Sequence, residues 1–339
     1  MTMLHNVAVV GCGYWGPNLV RNFHQLKSVD WVHCVDLIPE RLDKIQMSVT
    51  GVICHTSFDE VLKDDDVTVV AIATPLAMHY KLAKAALQAG KHVLIEKPMA
   101  PSLREAEELV ELADKKKLIL MVDHTFLFTQ ALIKIKEMID EGHLGELVYF
   151  DSNRINLGLF QHDSNVVWDL ATHDISIIDR LFKSKPVKIN CTGTKVAPFE
   201  HESIAYLSIL MDDGSLAHIS VNWMSPVKVR QILIGGTKRM LVFDDVLPSE
   251  KVKVYDKGVE FYEDPNEIYK ILVQYRVGDM HAPKIGSEEA LALECQYLLD
   301  CVDKGQKPFN DGVSGARVVA MLEAAQKSLE LDGATVRLD

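Results

Sequence analysis

No CxxC pair occurs among the six cysteines, which lie scattered at 12, 34, 54, 191, 295 and 301, and nothing in their spacing resembles a disulfide framework. Reduced, buried thiols in a cytosolic protein are the expectation. Proline is sparse, 12 residues in 339, too few for a proline-rich linker or a low-complexity tract. Positive charge is in deficit. A formal net charge of −12 counts against nucleic acid or an anionic membrane as the main partner. It leaves room for an anionic ligand held at a local basic site or a helix terminus. Long apolar runs are also missing. Stretches such as Val67–Ala73 are strand-sized, far short of the roughly 20 residues that span a bilayer. The opening MTMLHNVAVVGCG has no basic leader followed by an apolar core and a small-residue cleavage site, so no signal peptide and a cytoplasmic location are expected.

What is present is a change of pattern near residue 125. Before it, short apolar runs (Val7–Val10, Trp31–Asp36, Val67–Ala73, His92–Ile95, Leu118–Val122) alternate with amphipathic stretches (Gly16–Leu26, Pro39–Met47, Ser57–Leu62, Pro75–Ala89, Ser102–Lys116). Continuously apolar strands alternating with helices predict a doubly wound α/β domain whose parallel sheet is buried on both faces. Pro39, Pro75 and Pro101-Ser102 stand near helix starts, and Gly90 where a helix should stop. After it come helices at Thr129–Glu141 and Val166–Phe182, then a run of alternating strands from Val187 to Tyr262, parted by turns such as Asp212-Asp213-Gly214 and Asp256-Lys257-Gly258. Two helices close the chain, at Ser287–Lys304 and Val313–Leu331. The expected architecture is a Rossmann domain over 1–124 and an α+β domain over 125–339. The second is built on a large, mostly antiparallel open sheet, and the C-terminal helix is free to pack back on the first domain. Helices cover only one face of such a sheet. Apolar residues such as Ile204, Tyr206, Ile219 and Val221, or their neighbours, are expected on the other, pairing subunits in a homodimer or homotetramer.

Gly11-Cys12-Gly13-Tyr14-Trp15-Gly16 matches GxGxxG. The motif alone is weak. Here it follows a strand, opens a helix, and is followed 20 residues after Gly16 by Asp36 at the end of the second strand, the context that dinucleotide binding requires. Gly11 allows the tight turn, Gly13 lets backbone approach pyrophosphate, and Gly16 lets helix and strand pack closely. Asp36 accepts hydrogen bonds from the adenosine ribose hydroxyls and repels a 2′-phosphate, so NAD is expected over NADP.

Glu96-Lys97-Pro98 places a lysine at the carboxyl end of the fifth strand, where ligands of this fold bind. Pro98 fixes its own φ and biases Lys97 to an extended conformation. An isolated lysine would be better read as a solvated surface residue. Asp169 and His173 stand four residues apart and share one face of a predicted helix that Thr172 and Ser176 extend as a polar stripe. Such a stripe on an apolar helix suggests a pocket wall. A metal-ligand pair or a hydrogen-bonded core histidine fits the same spacing, but no third ligand is identifiable and no metal is expected.

Taken together, the GxGxxG opening, Ala73-Thr74-Pro75 with His79, Gly90-Lys91-His92, Glu96-Lys97-Pro98, the Asp169-x-x-x-His173 pair and the late Asp311-Gly312 resemble the Gfo/Idh/MocA family of sugar oxidoreductases over nearly the whole chain. The resemblance implies an active site of Lys97, Asp169 and His173. It implies a cofactor site that adds Tyr14, Trp15, Thr74, Pro75, His79, Glu96 and Lys97 to the glycines and Asp36. In the implied mechanism His173 is the general base that takes the hydroxyl proton as hydride leaves for nicotinamide C4. Lys97 stabilises the developing alkoxide and depresses the basicity of His173. Asp169 orients substrate or imidazole, and Glu96 supports the nicotinamide ribose.

Three further stretches are similar to the nucleotide-sugar branch of that family, whose members oxidise a C3 hydroxyl of substrates such as UDP-N-acetylglucosamine for cell-envelope amino sugars. These are Gly13–Asn18 with Arg21-Asn22-Phe23, Asn153–Phe160 leading into Val167–Leu170, and Tyr275-Arg276-x-Gly278-Asp279 with Pro283-Lys284. Arg154 and Asn156, alternating onto one strand face, and Trp168 are candidate substrate contacts, and Arg276 a candidate pyrophosphate partner. A structural salt bridge or loop hydrogen bond is the competing reading for each arginine. Other functions stay open: a 3-ketosugar reductase running in reverse, a dehydrogenase of free sugars or inositols, and a non-catalytic NAD-binding sensor, which would be expected to lack the lysine or the histidine.

Overall fold

A computed structural model describes residues 4–158, 164–256, 258–260, 274–276 and 278–338, with backbone only at 258–260 and 274–276. The chain divides into two compact units, Met1–Thr129 with Glu288–Glu323, and Gln130–Ser287 with Ala324–Asp339.

The first unit is built on six parallel strands, β1 (His5–Val10), β2 (Val29–Val35), β3 (Ile53–His55), β4 (Val67–Ile72), β5 (His92–Glu96) and β6 (Leu120–Asp123), in the order β3-β2-β1-β4-β5-β6. Order reverses between β1 and β4, which creates the crevice at the carboxyl ends where this fold binds ligands. Residues Val7–Val10 and Val69–Ile72 are all buried, as strands covered on both faces must be. Between them run α1 (Gly16–Gln25), α2 (Pro39–Ser48), α3 (Phe58–Lys63), α4 (Leu76–Gln88) and α5 (Leu103–Lys116). Ser102 caps α5 and its hydroxyl accepts from the Glu105 amide at 3.3 Å.

This unit takes in more chain than the expected 1–124. The helix Ala290–Lys304 and the first turns of the helix Gly312–Glu330 belong to it. The reason is visible in the packing. Phe128, Tyr297 and Phe309 pack with tilted rings whose centroids are 5.0–5.5 Å apart. The Val122 amide donates to the Asn310 carbonyl at 2.9 Å and the Asn310 side-chain amide to the Val122 carbonyl at 2.7 Å, and Gly315 lies so close to Val122 and Met99 that a Cβ would clash.

The second unit opens on α6 (Gln130–Asp140) and carries a nine-stranded mixed sheet, with β8 (Pro186–Lys195) near one edge, in which β7 (Leu147–Leu157) lies between β11 (Met224–Gly236) and β10 (Leu216–Asn222). The β7–β10 pair is parallel and its neighbours are antiparallel. Strand β9 (Glu202–Met211) alternates, with Ser203, Ala205, Leu207, Ile209 and Met211 buried. Register then settles which side is covered. Ile219 pairs with Leu207 and Val221 with Ala205, so both are buried on the inner face, contrary to the expectation that they are exposed. The outer face instead presents Tyr149, Tyr206 and Leu216, at 38%, 50% and 46% exposure. Among the described residues no helix is long and apolar enough to cross a membrane.

Candidate active site

In the first unit the glycine loop is shaped by what a side chain would meet. Gly11 has φ +94°, and a Cβ there would lie 2.6 Å from the Ala73 carbonyl oxygen. At Gly16 a Cβ would lie 1.9 Å from the Gly11 oxygen, so only glycine lets α1 start there. Gly13 differs. It is exposed, and the nearest atom to a Cβ is an Arg41 guanidinium nitrogen at 3.9 Å. That open stretch of backbone before a helix N-terminus is where a pyrophosphate fits. Thr74 beside the loop has a buried Oγ1 without a protein partner, a hydroxyl available to a ligand.

Asp36 is buried just past the end of β2. Its Oδ2 accepts from the Cys12 amide at 2.8 Å and its Oδ1 from the Ile38 amide at 2.9 Å. The carboxylate is therefore fixed beside the loop. A cavity of about 320 Å³ opens next to it, lined by Cys12, Gly13, Tyr14, Pro17, Arg41 and Lys44 among others. Sequence reasoning missed Arg41, whose guanidinium reaches Asp36 Oδ2 at 3.3 Å. Asp36 precedes α2 and Arg41 lies in its first turn, so the bond spans the short strand-to-helix connection. The cradle, the orphaned Thr74 hydroxyl and the fixed Asp36 all fit NAD.

At the end of β5 Glu96 Oε2 accepts from the Lys97 amide at 3.1 Å, and the Lys97–Pro98 peptide bond is cis. Burial, with Asp123 alongside, holds the Glu96 carboxyl well above its usual range. His79 is buried under this corner, and its two ring nitrogens meet the carbonyl oxygens of Thr74 and Pro98, each at 2.8 Å. It braces the two turns that carry Thr74 and Lys97 from beneath.

In the second unit, the expected helix from Val166 to Phe182 is two pieces. Val167–Ala171 form a wide π-helical turn, and α7 runs from Thr172 to Leu181. Turns of this kind concentrate at functional sites, and Asp169 stands in this one. Asn165 sets the turn by accepting from the amides of Val167 and Trp168, at 3.1 and 3.2 Å. Asp169 Oδ2 accepts from the Trp223 indole at 3.0 Å, and Trp223 is itself wedged by Gly158, where a Cβ would meet the ring at 2.3 Å. From Ala171 to Ile178, His173 alone keeps solvent exposure. Thr172 and Ser176, expected to extend its polar stripe, are buried.

Arg154 is placed for structure. It is 2% exposed, with Nε 2.8 Å and Nη2 3.1 Å from the Asp174 carboxylate, which also accepts from Ser152 at 2.9 Å. The salt-bridge reading of this arginine is the one the geometry favours, and the bond has a use: it indexes α7 against β7, and Asp174 is the neighbour of His173. Asn156 and Trp168 are half-buried on β7 and in the π turn. The Arg276 side chain lies outside the described residues. Among the described residues no cluster of three or more His, Cys, Asp or Glu could hold a metal ion.

Comparison with known proteins adds two family matches. Residues 5–124 match an oxidoreductase family with an NAD-binding Rossmann fold, and residues 132–242 match the GFO/IDH/MocA C-terminal domain. The chain is similar to a UDP-N-acetylglucosamine 3-dehydrogenase of Acidithiobacillus ferrooxidans, 24% identical over 324 residues, covering 94% of this chain and 95% of that one. The crystallised form of that enzyme superposes with a TM-score of 0.81 at 23% identity, covering 97% and 99%. An uncharacterized oxidoreductase of Schizosaccharomyces pombe is 36% identical over 148 residues, but these are only 41% of this chain and 40% of that protein. GenD2 from gentamicin A biosynthesis, in complex with NAD, has the same fold, with a TM-score of 0.83 at 22% identity over 100% and 97% of the two chains.

Proposed function

This chain belongs to the Gfo/Idh/MocA family of NAD-binding oxidoreductases, and we propose that it oxidises a secondary alcohol, the C3 hydroxyl, of a nucleotide sugar such as UDP-N-acetylglucosamine. The observation that carries the reading is likeness over 94% of the chain to an enzyme of that activity, and the presence of Lys97, Asp169 and His173 in the motifs quoted above agrees with it. NAD, when bound, accepts the hydride. The residues do the rest. Asp36 receives the adenosine ribose hydroxyls, and the loop from Gly11 to Gly16 receives the pyrophosphate. His173 takes the hydroxyl proton, Lys97 stabilises the alkoxide that develops, and Asp169, held by Trp223, orients the hydroxyl or the imidazole. The free state of all six cysteines suits work in the cytoplasm.

Incubating the protein with NAD and a panel of nucleotide sugars, free sugars and inositols should yield a product two hydrogens lighter from the nucleotide sugar alone. Mass spectrometry after a denaturing quench reads this product even where NADH stays bound. A product from a free sugar or inositol only would move the substrate class.

The outer sheet face with Tyr149, Tyr206 and Leu216 pairs with a second copy, giving a homodimer or a homotetramer. Light scattering at micromolar concentration should give at least twice the 38.0 kDa chain mass. A monomer mass would refute the pairing.

A further inference from the structure

Three carboxyl groups meet inside the first unit with too little donor chemistry for three charges. Glu96 and Asp123 are register partners at the carboxyl ends of β5 and β6, and Glu294, 0% exposed, reaches in from the helix Ala290–Lys304. Asp123 is well provided. Its Oδ1 accepts from the amide and hydroxyl of Thr125, and its Oδ2 from the Trp15 indole at 3.0 Å. Glu294 Oε1 accepts from the His124 amide at 3.1 Å and from Asn310 at 3.3 Å. Glu96 Oε1 and Glu294 Oε2, however, are sealed from solvent with no N–H or O–H directed at them. Both side chains neighbour Asp123. One proton on each glutamic acid, donated to Asp123, explains both orphaned oxygens and leaves one charge in place of three. Burial, with Asp123 beside them, raises both glutamic acids. Burial alone would raise Asp123 as well, but hydrogen bonds from Glu96, Thr125, Glu294 and Trp15 outweigh it and lower it.

The Trp15 bond gives this cluster a function. The glycine loop is pinned at few points: the Gly11 amide on the Val35 carbonyl at 2.8 Å, the Cys12 amide on Asp36, and the Trp15 indole on Asp123. Gly13 and Tyr14 between the pins are exposed. We propose that Asp123 is a positioning residue of the dinucleotide site, a buried carboxylate that ties the glycine loop, through Trp15, to the Glu96–Lys97 end of β5. The pin fixes the loop amides before the pyrophosphate arrives, so its loss appears as weaker cofactor binding. The proposal rests on the reading that this loop cradles NAD.

The test titrates NAD, with no sugar present, into Trp15→Phe, Asp123→Ala, Asp123→Asn and the Trp15→Phe/Asp123→Ala double variant. Trp15→Phe keeps an aromatic side chain and removes the indole N–H donor. Trp15→Phe and Asp123→Ala should each weaken NAD about ten-fold, the scale of one hydrogen bond to a charged group. The double variant should be no weaker than the weaker single, because both break one connection. Asp123→Asn, which keeps an acceptor for the indole, should recover part of the loss. Unchanged NAD affinity in Trp15→Phe, or losses that multiply in the double variant, would overturn the proposal. Trp15→Phe decides the matter even where Asp123→Ala fails to fold. Because sugar is absent, a negative nucleotide-sugar panel and a negative result here are separate findings.

Discussion

Lys97→Met is expected to slow hydride transfer by about 10²–10³-fold, the typical cost of removing one preorganised donor to a developing oxyanion, while NAD affinity stays nearly unchanged. Methionine keeps the length and apolar stem of lysine and discards the ammonium. The backbone at this position does not depend on that charge, because Glu96 Oε2 accepts from the Lys97 amide and His79 braces the Pro98 carbonyl. The loop from Gly11 to Gly16 and Asp36, proposed to receive the cofactor, bond to other groups. A charge that acts on the alkoxide matters more in the transition state than in the ground state. The loss should therefore fall on the rate of a single turnover at saturating NAD and sugar, with little change in either dissociation constant. Near-normal single-turnover rates, or an equal loss of NAD binding, would place the oxyanion donor elsewhere.

Local rules made the first unit legible. Val7–Val10 and Val69–Ile72 are apolar without a break, which only a strand covered on both faces requires, and the glycine spacing with Asp36 follows from steric demands near one strand end. The bond between Asp36 and Arg41 was not, because Asp36 precedes α2 and the turn between them sets whether the two meet. Nor was the carboxyl cluster. Glu96, Asp123 and Glu294 are separated by up to 198 positions, and each alone reads as a surface acid. Only the pairing of β5 with β6, and the packing of a late helix on them, shows that they meet. In the second unit the alternation of β9 was clear, but alternation does not say which side the helices cover. Ile219 and Val221 went to the buried side because β10 registers against Leu207 and Ala205. Arg154 shows the same limit. Its strand face was legible, but its partner Asp174 lies 20 residues on, in a helix whose π-helical start no propensity scale signals.

His173→Asn should lower the single-turnover rate by about 10²–10⁴-fold, the range for a lost general base, and should alter the pH dependence in a way that Lys97→Met does not. The substitution is mild for the fold. The His173 carbonyl accepts from Ser176 at 2.7 Å whatever the side chain, and α7 is held to β7 by the neighbouring Asp174. Asparagine retains a hydrogen-bonding group of similar reach but cannot take up a proton near neutral pH. In the unaltered enzyme the rate must fall as the medium becomes acidic, because a protonated imidazole no longer accepts the hydroxyl proton. Removing the imidazole removes that fall, so the variant should be slow and nearly flat across the same range. Added imidazole, small enough to enter the space vacated by the side chain, should restore part of the rate. The restored activity should regain the acidic fall. An acid limb that persists in His173→Asn would show that the titrating base is another group, and a rate close to the unaltered enzyme would show that the proton leaves by a path without this histidine.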